Sequence, residues 1–248
     1  MFNNHFFILA LSLLLVASLG VYTLAAPQEK TDKKVSKSAD DQAERALEAA
    51  EVLNDVMGIA DKGIPEELMS RAHAVAVVPG MTKGALGIGG RWGKGLVTHR
   101  ASNGKWSAPS FIEIGGGSVG FQIGVERTDV VLVFTNDEGF RSMLDGKVKL
   151  GAEASIAAGP VGRKGEVGTD VMLKSAILSY SRSKGLFAGV SLDGAAIMID
   201  DSGNAKAYGG KYSAEDIMLR NRVKVNNVVA PFIRAVEKWA SARRISER

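Results

Sequence analysis

The chain has 248 residues, 46% of them apolar and 23% charged, with 29 glycines, 3 histidines and no cysteine. That apolar fraction is ample for a core and excludes disorder as a description of the whole chain. The missing cysteine excludes disulfides, thiolate nucleophiles, zinc fingers and cysteine-ligated iron–sulfur clusters, and three histidines leave little for imidazole catalysis.

In chain order, Phe6 to Leu19 reads FFILALSLLLVASL, the length of a signal-peptide apolar core and short for a spanning helix, which needs roughly 20 residues. Small residues at Thr23 and Ala25 ahead of Pro27 offer a cleavage site. Residues 1–26 are therefore expected to be an export signal of a bacterial periplasmic or secreted protein, peripheral to a membrane. An uncleaved N-terminal anchor is the alternative, because the run extended through Ala26 nearly spans a bilayer. The +4 charge lies wholly after Pro27, and Arg220 to Arg248 holds eight basic residues against two acidic ones, so the body before it is slightly acidic. That basic segment reads as a solvated helix face, and no nucleic-acid partner is expected.

Residues 27–38 read as a flexible polar linker. Asp40 to Ala60 spaces Ala43, Leu47, Ala50 and Ile59 as an amphipathic helix widened by Val52, Leu53 and Val56, with Asp40 and Asp41 at its positive end. Glu66 to Ala72 predicts a second, short helix. The period then changes to two: Ala74–Pro79, 84–97, Phe111–Ile114, Val119–Val125 and Val130–Phe134 read as strands, with Asn103-Gly104 as a hairpin turn. Asn136 caps a short helix carrying Phe140, Met143 and Leu144. Strand-like segments follow over 148–158, 171–180, 186–192 and 195–199, with Asp193-Gly194 as a turn. Ser213 starts a helix, and Pro231 opens another with Phe232, Val236 and Trp239 on one side. The fold class is α+β: a glycine-rich, strongly curved, barrel-like and mainly antiparallel sheet, with helices from the N- and C-terminal segments packed on it. One domain is expected over 39–242, with a basic tail at 243–248.

Gly115 to Gly120 satisfies both the dinucleotide pattern G-x-G-x-x-G and, from Gly116, the nucleophile elbow G-x-S-x-G. Both need a helix next. Here Val119, Phe121, Ile123 and Val125 alternate as a strand, and no histidine follows Ser118, so neither chemistry is expected. His73 and His99 read as isolated core or surface histidines, and Glu66/Glu67 and Asp200/Asp201 as helix-start and turn residues. No catalytic residue, metal site or cofactor is assigned. Two basic turns stand out, Gly162-Arg163-Lys164-Gly165 and Ser181-Arg182-Ser183-Lys184-Gly185, because flexible glycine-rich turns carrying cations can hold a phosphate.

Ser179 to Ala195, SYSRSKGLFAGVSLDGA, resembles the signature of the SYLF-domain family, a lipid-binding domain also called an actin-binding domain in its fungal members. Gly151 to Asp170, Ala74 to Gly80, Ala207-Tyr208-Gly209 and Ser213 to Ile217 are similar to further segments of that family in the same order, so the resemblance runs from about Asp40 to Trp239. It implies a domain that is not an enzyme and binds acidic lipids, phosphoinositides in eukaryotic members. For an exported chain the implied partner is an anionic phospholipid surface, with Arg163, Lys164, Arg182 and Lys184 as candidate lipid-binding residues. The amphipathic helix over Asp40 to Ala60 or that over Pro231 to Arg244 is expected to add bilayer contact. The alternative is a structural or protein-interaction module of the envelope.

Overall fold

Helix α1 (Gln28–Gly58) crosses one face of a curled sheet. The structure, a computed structural model, describes residues 28–59, 63–144, 147–162, 175–183 and 185–241, with backbone alone over 28–39, 85–88 and 118–124. The expected export signal and basic tail lie outside these residues. The helix begins before the predicted start at Asp40, so the stretch read as linker is helical from Gln28. Glu, Gln and Lys have high helix propensity, and extending an existing helix is far cheaper than nucleating one. Asp40 and Asp41 therefore sit inside α1. Its buried side is formed by Ala46, Ala49, Ala50, Leu53, Val56 and Met57, whereas Leu47 is half exposed. The alanines let the helix approach the sheet closely, which turns the predicted stripe away from Leu47.

After the short α2 (Glu66–Arg71), the five predicted strands up to Phe134 merge into two long ones, β1 (Ala74–His99) and β2 (Ser110–Phe134). They pair antiparallel from Ala74↔Phe134 to Val97↔Ser110, with register shifts between Val78 and Met81 and between Ala85 and Gly87. These irregularities bend the ribbon where separate strands were expected. The predicted turn is present: Gly104 has φ +80°, and the Asn103 side-chain oxygen accepts from the Lys105 N–H at 3.0 Å. β1 curls so far that its end meets its beginning, the Arg100 N–H donating to the His73 carbonyl at 2.8 Å. The Arg100 guanidinium fastens the closure by donating to the carbonyls of Ser70 and, at 3.2 Å, Ala240.

The remaining elements are α3 (Asp137–Leu144), β3 (Lys147–Lys149), β4 (Ile156–Ala158), β5 (Ile177–Ser183), β6 (Leu186–Gly189), β7 (Ala196–Ile199), α4 (Asp201–Tyr208), α5 (Ala214–Met218) and α6 (Ala230–Ala240). The far edge of β2 is shared: β7 pairs with Ile112–Gly115 and β5 with Asp129–Phe134. β3 lies outside β7, and β4 and β6 outside β5, giving a half-barrel in which, among the described strands, β4–β5 is the parallel pairing. Both sheet faces are covered. Val75, Val77, Phe111, Val131 and Val133 meet α1, α2 and α6, while Ala74, Ala76, Val78, Val130 and Leu132 form the inner core with Phe140 of α3 and Ile217 of α5. The alternation of one buried set with another is why these strands read as nearly continuous apolar runs.

Helix α4 replaces the turn expected at Asp200-Asp201. Asp200 is its N-cap, accepting from the Gly203 N–H at 2.8 Å. The fully buried Asn204 side chain accepts from the Phe111 N–H at 2.8 Å and donates to Ser110 Oγ at 3.0 Å, so long-range bonds hold a sequence rich in turn formers as a helix.

Candidate functional site

Of the four candidate cations, Arg163, Lys164 and Lys184 lie outside the described residues. Arg182 lies in strand β5, not in an exposed turn, directly opposite Asp129 of β2. Its Nε and Nη2 donate to Asp129 Oδ2 at 3.1 and 2.9 Å, and its Nη1 donates to Asp55 Oδ2 of α1 at 2.6 Å. Asp129 also accepts from the Gly80 N–H at 2.9 Å, where β1 bulges. Arg182 thus joins α1, β1, β2 and β5, and its charge is matched by two carboxylates. Burial acts against that charge, but the bonds to Asp55 and Asp129 outweigh it and raise the guanidinium further. The groove around it, about 520 Å³, adds Glu48 and Glu51 and is acid-rich despite Arg127.

Just beyond Arg182 the sheet has a corner of different character. Ser183 Oγ donates to Glu126 Oε1 at 2.7 Å and fixes the β5–β6 turn, made by Gly185 at φ +79°, onto β2. Leu186 beside that turn is 78% exposed, and Val125 of β2 is 79% exposed. Strand alternation places exposed Arg127 on the face of Val125, and exposed Glu126 with its cross-strand partner Lys83 on the face of Leu186. Two nearly bare aliphatic side chains, one on each face of this sheet corner and each with a cation on its own face, are its distinguishing feature.

The end helices do not share it. Phe232, Ile233 and Val236 of α6 and the apolar side of α1 are buried against each other and the sheet, so the expected bilayer contact by these apolar stripes is not available. The outward side of α1 carries Glu44, Glu48, Glu51 and Asp55. Among the described residues no helix is long and apolar enough to cross a membrane.

A family model described as "Ysc84: Las17-binding protein actin regulator" matches residues 115–239. The chain belongs to the Ysc84 (SYLF-domain) family. Protein YSC84 of Saccharomyces cerevisiae is 38% identical over 207 residues, 82% of this chain and 44% of the yeast protein. LAS seventeen-binding protein 3 of the same yeast is 35% identical with the same coverage, and the human SH3 domain-containing YSC84-like protein 1 is 35% identical over 180 residues, 70% of this chain and 52% of the human one. The chain therefore spans about half the length of these relatives or less. One of these relatives is named for binding, and the family description speaks of Las17 binding and actin regulation.

In this Ysc84 domain the Gly115–Gly120 run is extended strand within β2, without the helix that a dinucleotide site or nucleophile elbow requires. The histidines are the surprise. His73 and His99, read as isolated, both meet Asp137 at the start of α3: His73 Nδ1 and His99 Nε2 each donate to Asp137 Oδ1 at 3.3 Å. An ionised carboxylate only accepts, so both facing nitrogens carry hydrogen. His99 is stacked on Phe140 at 4.2 Å, and its Nδ1 is buried without a hydrogen-bond partner among the described residues. Strand register holds the signal that sequence spacing lacks: pairing Ala74 with Phe134 puts His73 beside the segment leading to Asp137, and the β1 curl returns His99 to the same place. Among the described residues no group of His, Asp or Glu is arranged to hold a metal ion.

Burial lowers the His99 imidazole from the ordinary 6.5, against the opposing pull of Asp137. For Asp137, burial favours the neutral form, but the two imidazole N–H groups and Arg141 outweigh it and hold the carboxyl below its ordinary range. The unfolded chain accepts a proton on this imidazole near pH 6.5 and the folded chain only at lower pH, so its contribution to stability is complete above 6.5 and is lost as pH falls through that window. The melting temperature should fall between pH 7 and pH 5, and His99→Gln, which keeps an N–H for Asp137, should fall less. Parallel melting curves for the two proteins would remove His99 as the source.

Proposed function

We propose that this Ysc84-family chain is a non-enzymatic module that docks on anionic phospholipid membranes through the corner where the β5–β6 turn meets β2. The observation that carries this reading is the pair Val125 and Leu186, each almost four-fifths exposed on opposite faces of the corner, with Arg127 on the face of Val125 and Lys83 on that of Leu186. Aliphatic side chains entering a bilayer interface gain about 0.8 kcal/mol per buried CH₂, and neighbouring cations gain about 1 kcal/mol each near an anionic surface. Lys184, Arg163 and Lys164 are further candidate cations on the sequence alone. Glu48 and Glu51 of α1 share the groove of Arg127, so in this reading the corner is seated by its two aliphatic side chains and the charge of Arg127 is partly offset. Phe6–Leu19 supports export of the chain to a compartment where such a surface is met.

Co-sedimentation of the full chain with phosphatidylglycerol vesicles tests it. Native protein is expected to bind at low salt and to release as salt shortens the Debye length from about 10 Å at 0.1 M. Val125→Asp/Leu186→Asp should lower affinity by about tenfold or more, since it removes two apolar anchors and adds two charges of the wrong sign. Unchanged binding by that variant, or equal binding of native protein to neutral vesicles, would overturn the reading. Charge reversal at Arg182 is a poor test, because it releases Asp55 and Asp129 and strains the fold whatever binds outside.

A second reading is a protein-interaction module, favoured by the family description "Las17-binding protein actin regulator". Its surface would be the outward side of α1, where half-exposed Leu47 sits among Glu44, Glu48 and Glu51. Partner capture abolished by Leu47→Asp and indifferent to Leu186→Asp would favour it.

A further inference from the structure

The closure of β1 leaves a cleft of about 540 Å³ between α2, the end of β1, the start of α3 and the end of α5. Arg71, Arg100 and Arg141 line it together with His73, His99 and Asp137. We propose that this cleft binds a small phosphate-bearing anion, at a site separate from the β5–β6 corner.

The cations here are held differently from Arg182. Arg100 directs its N–H groups at the carbonyls of Ser70, Gly104 and Ala240, and among the described residues no carboxylate pairs with it. Its charge is held by these neutral acceptors and the face of Trp106, 5.6 Å away, with no described carboxylate beside it. Arg71 pairs with Glu67 and Arg141 with Asp137 in i,i+4 contacts of 3.2 and 3.3 Å between largely exposed side chains, a type of pair worth little, so both guanidinium groups are free to turn to a better anion. The carboxylate in the cleft, Asp137, is already shared by two imidazole N–H groups and Arg141. Three arginines against one saturated carboxylate leave the lining positive. Guanidinium forks match phosphate oxygens bidentately, and the volume is that of an ordinary small-ligand site. The cleft lies past the Phe134 end of β2 and the corner at Glu126, so the two do not share residues.

A phosphomonoester could arrive as a soluble molecule or as a lipid head group, and the test separates them. Isothermal titration of the full chain with inorganic phosphate, at pH 7 and constant ionic strength in chloride, should give saturable binding. Arg71→Ala/Arg141→Ala, both at exposed positions, should weaken it by about tenfold or more, while Lys206→Ala, at an exposed position of α4, leaves it unchanged. Inorganic phosphate that displaces the protein from phosphatidylcholine vesicles containing phosphatidic acid identifies the head group as the source; phosphate binding without such displacement identifies a soluble anion. Absence of saturable phosphate binding, or the same loss in Lys206→Ala as in the double variant, overturns the site. The corner is unaffected by either result, because Val125→Asp/Leu186→Asp leaves the cleft intact.

Discussion

Replacing Gly95 by valine is expected to unfold the protein at ordinary temperature. Gly95 pairs with Ile112 across the ribbon, and it also lies against an earlier stretch of its own strand. A Cβ there would stand 2.1 Å from the Val77 carbonyl oxygen and 2.8 Å from the Val78 Cα. Both are backbone atoms that cannot rotate aside, so relief requires the curl of β1 to open, and with it the Arg100–His73 closure and the packing of both cores. Overpacking that side chains absorb costs about 1–3 kcal/mol; forcing backbones apart belongs above about 4 kcal/mol, a large part of the roughly 5–15 kcal/mol that holds a domain. Even Gly95→Ala should be severe.

Two other glycines supply the scale. Gly104 sits at φ +80° with open space around a Cβ, so Gly104→Ala should cost about 1–2 kcal/mol, the left-handed penalty alone. Gly117 has ordinary φ and nothing within 4 Å, so Gly117→Ala should be neutral within about 0.5 kcal/mol. Urea unfolding midpoints should rank Gly117→Ala above Gly104→Ala, with Gly95→Ala far below. Equal midpoints for the first and last would contradict the close approach of β1 to itself.

The same glycines show where the sequence is legible and where it stops. Local chemistry is written in it: the Asn136 side chain accepts from the Gly139 N–H at 2.9 Å and the Ser213 side chain from the Asp216 N–H at 3.1 Å, as short-range spacing predicts. The glycine content announces a bent sheet, but not which glycine carries the bend, because that depends on the 77–95 approach between residues far apart in the chain. Glycines and Pro79 interrupt the apolar pattern and predict strand breaks, yet backbone pairing runs through them with only bulges.

The candidate site divides in the same way. Arg182 was legible as a conspicuous cation in a serine- and glycine-rich stretch, but its environment is set by α1 and β2, and Asp55 and Asp129 turn it into a clamp. The histidine pair needed strand register to be found. Val125 and Leu186 were invisible for the opposite reason: each sits in a strand-like apolar pattern, and exposure depends on where the neighbouring strands end. Leu47 is a similar case on α1, apolar in the stripe and half exposed in the fold.

Asp200 carries the second large effect, and its loss should be felt across three elements at once. Its carboxylate caps α4 through the Gly203 N–H, and its Oδ2 accepts from Lys94 Nζ at 3.3 Å and Arg45 Nη1 at 3.4 Å, joining α4 to β1 and α1. The side chain is 6% exposed, while Lys94 also bonds Glu113 and Arg45 lies over Phe111. Burial works against the charge, but the Gly203 N–H, Lys94 and Arg45 together outweigh it and hold the carboxyl below its ordinary 3.8. Removing an N-cap costs about 1 kcal/mol, and leaving partly buried cations without their partner adds to it, so Asp200→Ala should lose roughly 2–4 kcal/mol. For a domain of this size that is a fall of roughly 5–15 °C in melting temperature. The neighbouring Asp201 is exposed in the first turn of the same helix, and Asp201→Ala should cost no more than about 1 kcal/mol. Because the folded carboxyl titrates below the unfolded one, the stability it contributes is complete above pH 3.8 and is lost as pH falls through the lower native value. The gap in stability between native protein and Asp200→Asn should therefore be constant from pH 7 to about pH 5 and narrow toward pH 3. A gap that persists unchanged at pH 3 would mean that the asparagine disturbs packing rather than charge.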